Sequence, residues 1–330
     1  MKSASSWTIP ATLVGVALLC AALMWQGAAA LKGAWDLAGW PVLWMPVYFI
    51  IPLLFASEAW RVLFGYHPPS RPVTIKATWA GLGMNWLLPV AQIGGELAKA
   101  HMATHRGSRG GLALATAMVD KTVQLFTQII YTFVGLGLLA LERSDKDMTV
   151  AIWTGIGVLT AMAMGFLWLQ RQGLFGMAMR SLERIGKEDL SQRWGATAGE
   201  GDAALRELYR ERVLVFRSTV LRLAFRFALA GEVWICLKVL GHPVGIAEAI
   251  IIESLTQAVR AAAFAIPAGL GAQEGGVVAF AVMLGLGGEV GVALALCKRM
   301  RELIVGVPGI VAWQWEMGKS LMGKSPPKAV

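Results

Sequence analysis

Long uninterrupted apolar runs dominate this chain, and the polar residues that break them fall at matching places. Residues 9–30 and 150–169 contain no charged side chain. Each is long enough to cross a bilayer, since a crossing needs about 20 apolar residues. Residues 40–57 are also uncharged and contain Pro41, Pro46 and Pro52, kinks that a membrane helix tolerates when its neighbours satisfy the freed carbonyls. Further spans are predicted at 110–141, 213–240 and 289–317, giving six crossings. Two more segments, 75–106 and 245–286, each read as an apolar helix that breaks and continues as a second short helix. Each is either a re-entrant hairpin or a pair of tilted crossings.

The two breaks share a spelling. The first runs Pro89-Val90-Ala91-Gln92-Ile93-Gly94-Gly95-Glu96 and the second Pro267-Ala268-Gly269-Leu270-Gly271-Ala272-Gln273-Glu274, 178 residues further on. In both, a proline is followed by two glycines and by a glutamate seven residues after the proline. The offset holds once more, because Lys121 stands 25 residues after Glu96 and Arg299 stands 25 residues after Glu274. This points to an internal repeat. Three predicted crossings separate the breaks, so the first segment enters from one face and the second from the other, and the repeats are inverted. Broken helices at corresponding places of two halves point to a binding site at their interface.

With 56% hydrophobic and 15% charged residues and a mean hydropathy of +0.58, the chain departs from soluble domains, which carry about a quarter charged residues. The expected class is all-α, a polytopic membrane protein of two inverted repeats. The net charge of +9 then has a topological meaning, because Lys and Arg accumulate on the cytoplasmic side. With the N-terminus inside, 18 Lys and Arg fall inside and three outside (Lys32, Arg143 and Lys146). Both termini are therefore expected in the cytoplasm. The organisation expected is an N-terminal span in 1–39, a first repeat in 40–141, a connecting span and polar segment in 142–212, a second repeat in 213–318 and a tail in 319–330. Ala28-Ala29-Ala30 resembles a signal-peptide cleavage site, but the apolar run before it is too long for one.

Ionisable side chains in the hydrocarbon region are costly and are functional candidates by default. Glu96, Asp120, Lys121, Glu274 and Arg299 lead the set. Glu253, Gln257 and Arg260 stand at i, i+4 and i+7 and so share a helix face that leads toward Pro267. Arg217 and Arg222 read as basic side chains that snorkel to headgroups, and Arg226 lies deeper. The glycines and prolines at 89, 94, 95, 267, 269 and 271 read as helix breaks. His101 and His105 are i, i+4 but lack the companions of a metalloprotease helix. The three cysteines show neither metal spacing nor a disulfide framework. No nucleotide loop, nucleophile elbow or zinc signature appears, so neither a metal nor a cofactor is expected, and nucleic acid is not an expected partner.

On these residues the chain resembles the flippase-like family named after the transmembrane region of lysylphosphatidylglycerol synthase. The family's first motif stands here as Pro89, Gly94-Gly95-Glu96, Lys99 and Asp120-Lys121. The second stands as Pro267, Gly269, Gly271, Glu274, Arg299, Arg301 and Pro308. Arg260-Ala261-Ala262-Ala263-Phe264 and Gln273-Glu274-Gly275-Gly276 resemble the branch associated with hopanoid biosynthesis. Lys121 departs from the family's usual arginine and lacks its planar fork. The resemblance implies a translocase of the bacterial inner membrane that moves or binds a hopanoid or a modified phospholipid, with enzymes of lipid or hopanoid synthesis as partners. Lys99, Asp120, Lys121, Glu253, Arg260, Arg299 and Arg301 would contact or balance the headgroup together with Glu96 and Glu274. The chain ends at Val330 without the soluble aminoacyl-transfer domain of the bifunctional synthases, so lysine transfer is not expected of it. The rival readings are a membrane-embedded lipid-modifying enzyme that uses the same carboxylates, and a non-catalytic partner of such enzymes.

Overall fold

The computed structural model describes residues 38–88, 94–142, 200–263 and 271–321, with a few positions in 32–36 and 157–168. The predicted span at 9–30, most of the one at 150–169, and Pro89, Pro267 and Gly269 lie outside the described residues. Helices make up the described fold, and no strand occurs among the described residues. After a short 3-10 turn at Trp40–Leu43 come α1 (Trp44–Tyr48), α2 (Ile50–Val62), α3 (Arg71–Leu87), α4 (Gly94–His105) and α5 (Gly110–Glu142). A helical stretch at 200–210 leads into α6 (Arg212–Val239), α7 (Ile246–Ala262), α8 (Ala272–Met283) and α9 (Gly288–Leu321).

The element lengths recur. Helices α3 and α7 have 17 residues each, α4 and α8 have 12 each, and α5 and α9 have 33 and 34. The packing recurs as well, since α3 lies along α9 while α7 lies along α5, and α2 lies along α6. Each half thus lends its broken segment to the long helix of the other. Small residues permit the close approach. A Cβ on Gly83 would stand 2.4 Å from the carbonyl oxygen of Gly306, and one on Gly135 would stand 1.8 Å from Ser254 Oγ. Beside the first contact, Trp79 Nε1 donates to the Val305 carbonyl at 2.6 Å. The neighbouring carbonyl, that of Ile304, lacks its usual helical donor because position 308 is a proline.

Trp40–Val62 and Gly110–Glu142 are long and apolar enough to cross a membrane. At 1.5 Å per residue α5 extends roughly 50 Å, beyond a hydrocarbon core of about 30 Å. Helices α6 and α9 carry more charge, and most of it turns inward: Arg222, Glu232, Lys298, Arg299, Arg301 and Glu302 are all buried. The outer surface is apolar instead. Trp44, Ile50, Ile51, Leu54, Phe126, Phe216 and Trp315 are exposed, an arrangement suited to lipid rather than to water. In the polar segment, Leu205 and Leu208 of the 200–210 stretch are buried against Met118, Val119 and Val123 of α5. Tyr209 OH meets Thr122 Oγ1 at 2.8 Å. Cys236 and Cys297 sit in one apolar cluster with Val233, Leu294 and Met300.

Candidate functional site

Both helix breaks are bridged by a side chain from the helix before to the start of the helix after. Asn85 Oδ1 of α3 accepts the Gly95 N–H of α4 at 3.0 Å. Gly95 is held so tightly that a Cβ there would lie 2.1 Å from the Gly81 carbonyl oxygen. In the other half, Arg260 of α7 donates to Gln273 Oε1 of α8. Gly271 precedes α8 with φ of +78°, a backbone region that disfavours any other residue. Its N–H donates to Glu274 Oε2 at 2.9 Å.

The charges of the first half close on one another. Lys99 Nζ lies 2.5 Å from Glu96 Oε2 and 2.6 Å from Asp120 Oδ2, and 5.0 Å over the ring of Trp60. Arg222 grips Asp120 with both arms of its fork, Nε to Oδ1 at 2.9 Å and Nη2 to Oδ2 at 2.5 Å. Gln124 Nε2 completes the set by donating to Glu96 and Asp120 at 3.2 and 3.1 Å. Two carboxylates and two cations are therefore in direct contact away from water, with Lys121 close enough to act on both carboxylates. Here the structure corrects the sequence reading of Arg222, which is 2% exposed and reaches no headgroup. The bidentate geometry with a buried carboxylate explains why it turns inward. Arg217, one turn earlier, remains exposed.

The second half uses different pairings. Arg299 joins Glu302 at 2.8 Å and Glu274 at 3.1 Å, and Arg260 joins Glu302 at 3.0 Å. Lys298 pairs with Glu253, which also accepts from Gln257 at 2.9 Å. Arg301 Nε reaches Glu232 at 2.7 Å, and its guanidinium carbon lies 4.6 and 4.7 Å from the ring centroids of Phe49 and Trp86. The glutamates at matching places differ, since Glu96 is buried whereas the Glu274 side chain is 33% exposed.

Between the halves lies a cavity of about 130 Å³. Lys121, Arg260 and Arg301 line it, as do Asn85, Gln124, Gln128, Arg226, Gln257 and Glu302. Leu82, Leu125, Phe225 and Leu229 supply an apolar wall. Four cations thus face one carboxylate. Of the residues singled out in the sequence, Lys121, Arg260 and Arg301 meet here; Glu96, Lys99, Asp120, Glu253, Glu274 and Arg299 stand behind them in the ion pairs.

Sequence reasoning missed Glu232, Lys298 and Glu302 and left Arg226 undecided. Part of the signal was available, because the 178-residue offset that links Lys121 to Arg299 also links Asp120 to Lys298 and Gln124 to Glu302. Glu232 has no such counterpart cue. Its partner Arg301 lies 69 residues away.

Residues 12–309 match the family described as the lysylphosphatidylglycerol synthase TM region. The chain belongs to this family. It is accordingly a membrane protein related to lipid metabolism, and the long apolar helices and apolar outer surface agree with that placement. No curated protein and no solved structure matches the chain.

Proposed function

We propose that this protein is a flippase-like lipid translocase of the bacterial inner membrane. In this reading it is a multi-pass protein with both termini in the cytoplasm, and two inverted repeats hold the headgroup of an amphiphilic lipid between them. The observation that carries the reading is the cavity where the two halves meet, with Lys121, Arg226, Arg260 and Arg301 on its polar side and Leu82, Leu125, Phe225 and Leu229 on its apolar side. A translocase must supply a polar path for a headgroup while the acyl chains stay in lipid. At about 130 Å³ the cavity has room for a headgroup fragment, well short of the 300–1,000 Å³ that encloses a drug-sized ligand. The tails would therefore remain outside. Matched helix lengths and the exchange of broken segments between halves support the repeat, and repeats with broken helices are the framework of alternating access.

Fluorescent lipids in liposomes, quenched by a membrane-impermeant reductant, test this function. The wild-type protein is expected to expose inner-leaflet lipid. Lys121→Met should slow the movement by about tenfold or more, the cost of one charge-assisted contact, while Lys121→Arg should retain it. Absence of movement for every lipid offered, or an unchanged rate in Lys121→Met, would overturn the reading.

A further inference from the structure

Twelve charged side chains are buried among the described residues, and eleven of them stand in ion pairs. Arg226 is the exception. Each nitrogen of its fork donates once, and only to a neutral acceptor: Nε to Thr127 Oγ1 at 3.1 Å, Nη2 to the Gln124 carbonyl at 2.5 Å, and Nη1 to Gln128 Oε1. Gln128 is itself held by Thr132 Oγ1 at 3.0 Å and by the Ser254 carbonyl at 3.3 Å. These bonds fix the guanidinium against the cavity wall with no carboxylate in contact with it; Glu253, which acts on it from a distance, is itself paired with Lys298. Neutral dipoles satisfy N–H groups, yet a buried monopole still attracts a counter-ion over several ångströms in a low-dielectric interior.

A second guanidinium borders the same space. Arg301 lines the cavity, is buried, and has an Nη1 with no hydrogen-bond partner. Phe49 and Trp86, themselves in edge-to-face contact, pack together against its guanidinium and restrict its movement. Lys121 stands on the same lining. The carboxylate of the cavity, Glu302, is already shared between Arg260 and Arg299. A cationic group that entered would find it occupied.

We infer that the cavity selects a headgroup of net negative charge, of the phosphate, phosphonate or sulfate class, and that Arg226 is the residue that sets this selectivity. The inference rests on the translocase reading for what enters the cavity and adds the charge that the headgroup must carry. An uncharged polyol can hydrogen-bond to the polar wall but leaves Arg226 uncompensated. A zwitterion brings an ammonium into a site whose one carboxylate is taken. An anionic oxygen cluster supplies the counter-charge that Arg226 lacks in contact and lies beside Arg301, whose Nη1 has no hydrogen-bond partner.

The test is calorimetric titration of the full-length protein in an uncharged detergent. The probes are a short-chain phosphatidic acid, the matching phosphatidylcholine, an uncharged monoacylglycerol and inorganic phosphate. The phosphatidic acid is expected to bind at least about tenfold more tightly than either of the other lipids and than free phosphate. Arg226→Gln should weaken it by about 10- to 100-fold, as loss of one charged hydrogen-bonding partner does, without changing the weak binding of the monoacylglycerol. Arg226→Lys should recover part of the loss. Equal wild-type affinity for the three lipids overturns the inference whatever the variants do, and free phosphate binding as tightly as the lipid overturns the lipid as its source. Arg226-dependent binding of phosphatidic acid without lipid movement in liposomes would remove the translocase reading and keep this one. Movement of all headgroups at equal rates, untouched by Arg226→Gln, would do the reverse.

Discussion

Asp120→Asn is expected to destabilise the protein by about 3 to 5 kcal/mol, the range found when one member of a buried ion set is removed. Asp120 is fully buried and accepts Lys99 and both arms of Arg222. Asparagine has nearly the same shape, so the loss comes from charge. It leaves one carboxylate, Glu96, against two cations, and its amide presents donors where acceptors are needed. Thermal or denaturant unfolding in detergent measures the effect. Asp120→Asn combined with Arg222→Leu restores the charge balance and should recover a substantial part of the loss. If Asp120→Asn melts with the wild type, the buried set is not what holds α4, α5 and α6 together.

The second large effect is expected at Glu302. This carboxylate joins Arg260 at 3.0 Å and Arg299 at 2.8 Å, and accepts Gln273 Nε2 at 3.2 Å. It therefore ties α7, α8 and α9 at the second break. Glu302→Gln leaves Arg260 without its carboxylate and Arg299 with only the part-exposed Glu274, so a loss on the order of 3 to 5 kcal/mol follows. Unlike Asp120, Glu302 also lines the cavity, and its removal adds positive charge there. Glu302→Gln with Arg260→Leu should return much of the stability, since the cation left without a carboxylate is then withdrawn as well. Equal stability of the single and double variants would show that Arg260 and Glu302 do not act as a pair.

These two sites mark where the sequence was informative and where it was not. The paired short helices of 75–106 and 245–286 were legible from apolar runs punctuated by proline and glycine, and α3, α4, α7 and α8 stand within a few residues of those ranges. Gly94 and Gly95 begin α4, while 89–93 and 264–270 lie outside the described residues. The candidate charges were legible because an ionisable residue in an apolar run is costly wherever it points. Their partners were not. Helical spacing gives the face on which Arg222 lies, but whether that face meets a headgroup or Asp120 depends on a contact across 102 residues. Lys99 is in contact with both Glu96 and Asp120, and its reach across 21 residues to Asp120 is not given by spacing along one helix. Arg226 was undecidable for a related reason, since its three acceptors are neutral and carry no compositional signal. Repeat arithmetic reached further than periodicity here. Asp120 with Lys298 and Gln124 with Glu302 follow the same offset as Lys121 with Arg299, although the residue types at the first two places differ.

The central claim is that a lipid headgroup occupies the space between the two halves. The most direct measurement is photo-crosslinking in liposomes with a lipid that carries a diazirine on its headgroup, followed by mass-spectrometric mapping of the adducts. The account predicts adducts on cavity-lining residues of both halves, at Gln124 and Gln128 of α5, Phe225 of α6 and Gln257 of α7, reduced by excess unlabelled lipid. Adducts confined to the outward-facing apolar surface, at Val213, Phe216 and Trp315, would contradict it.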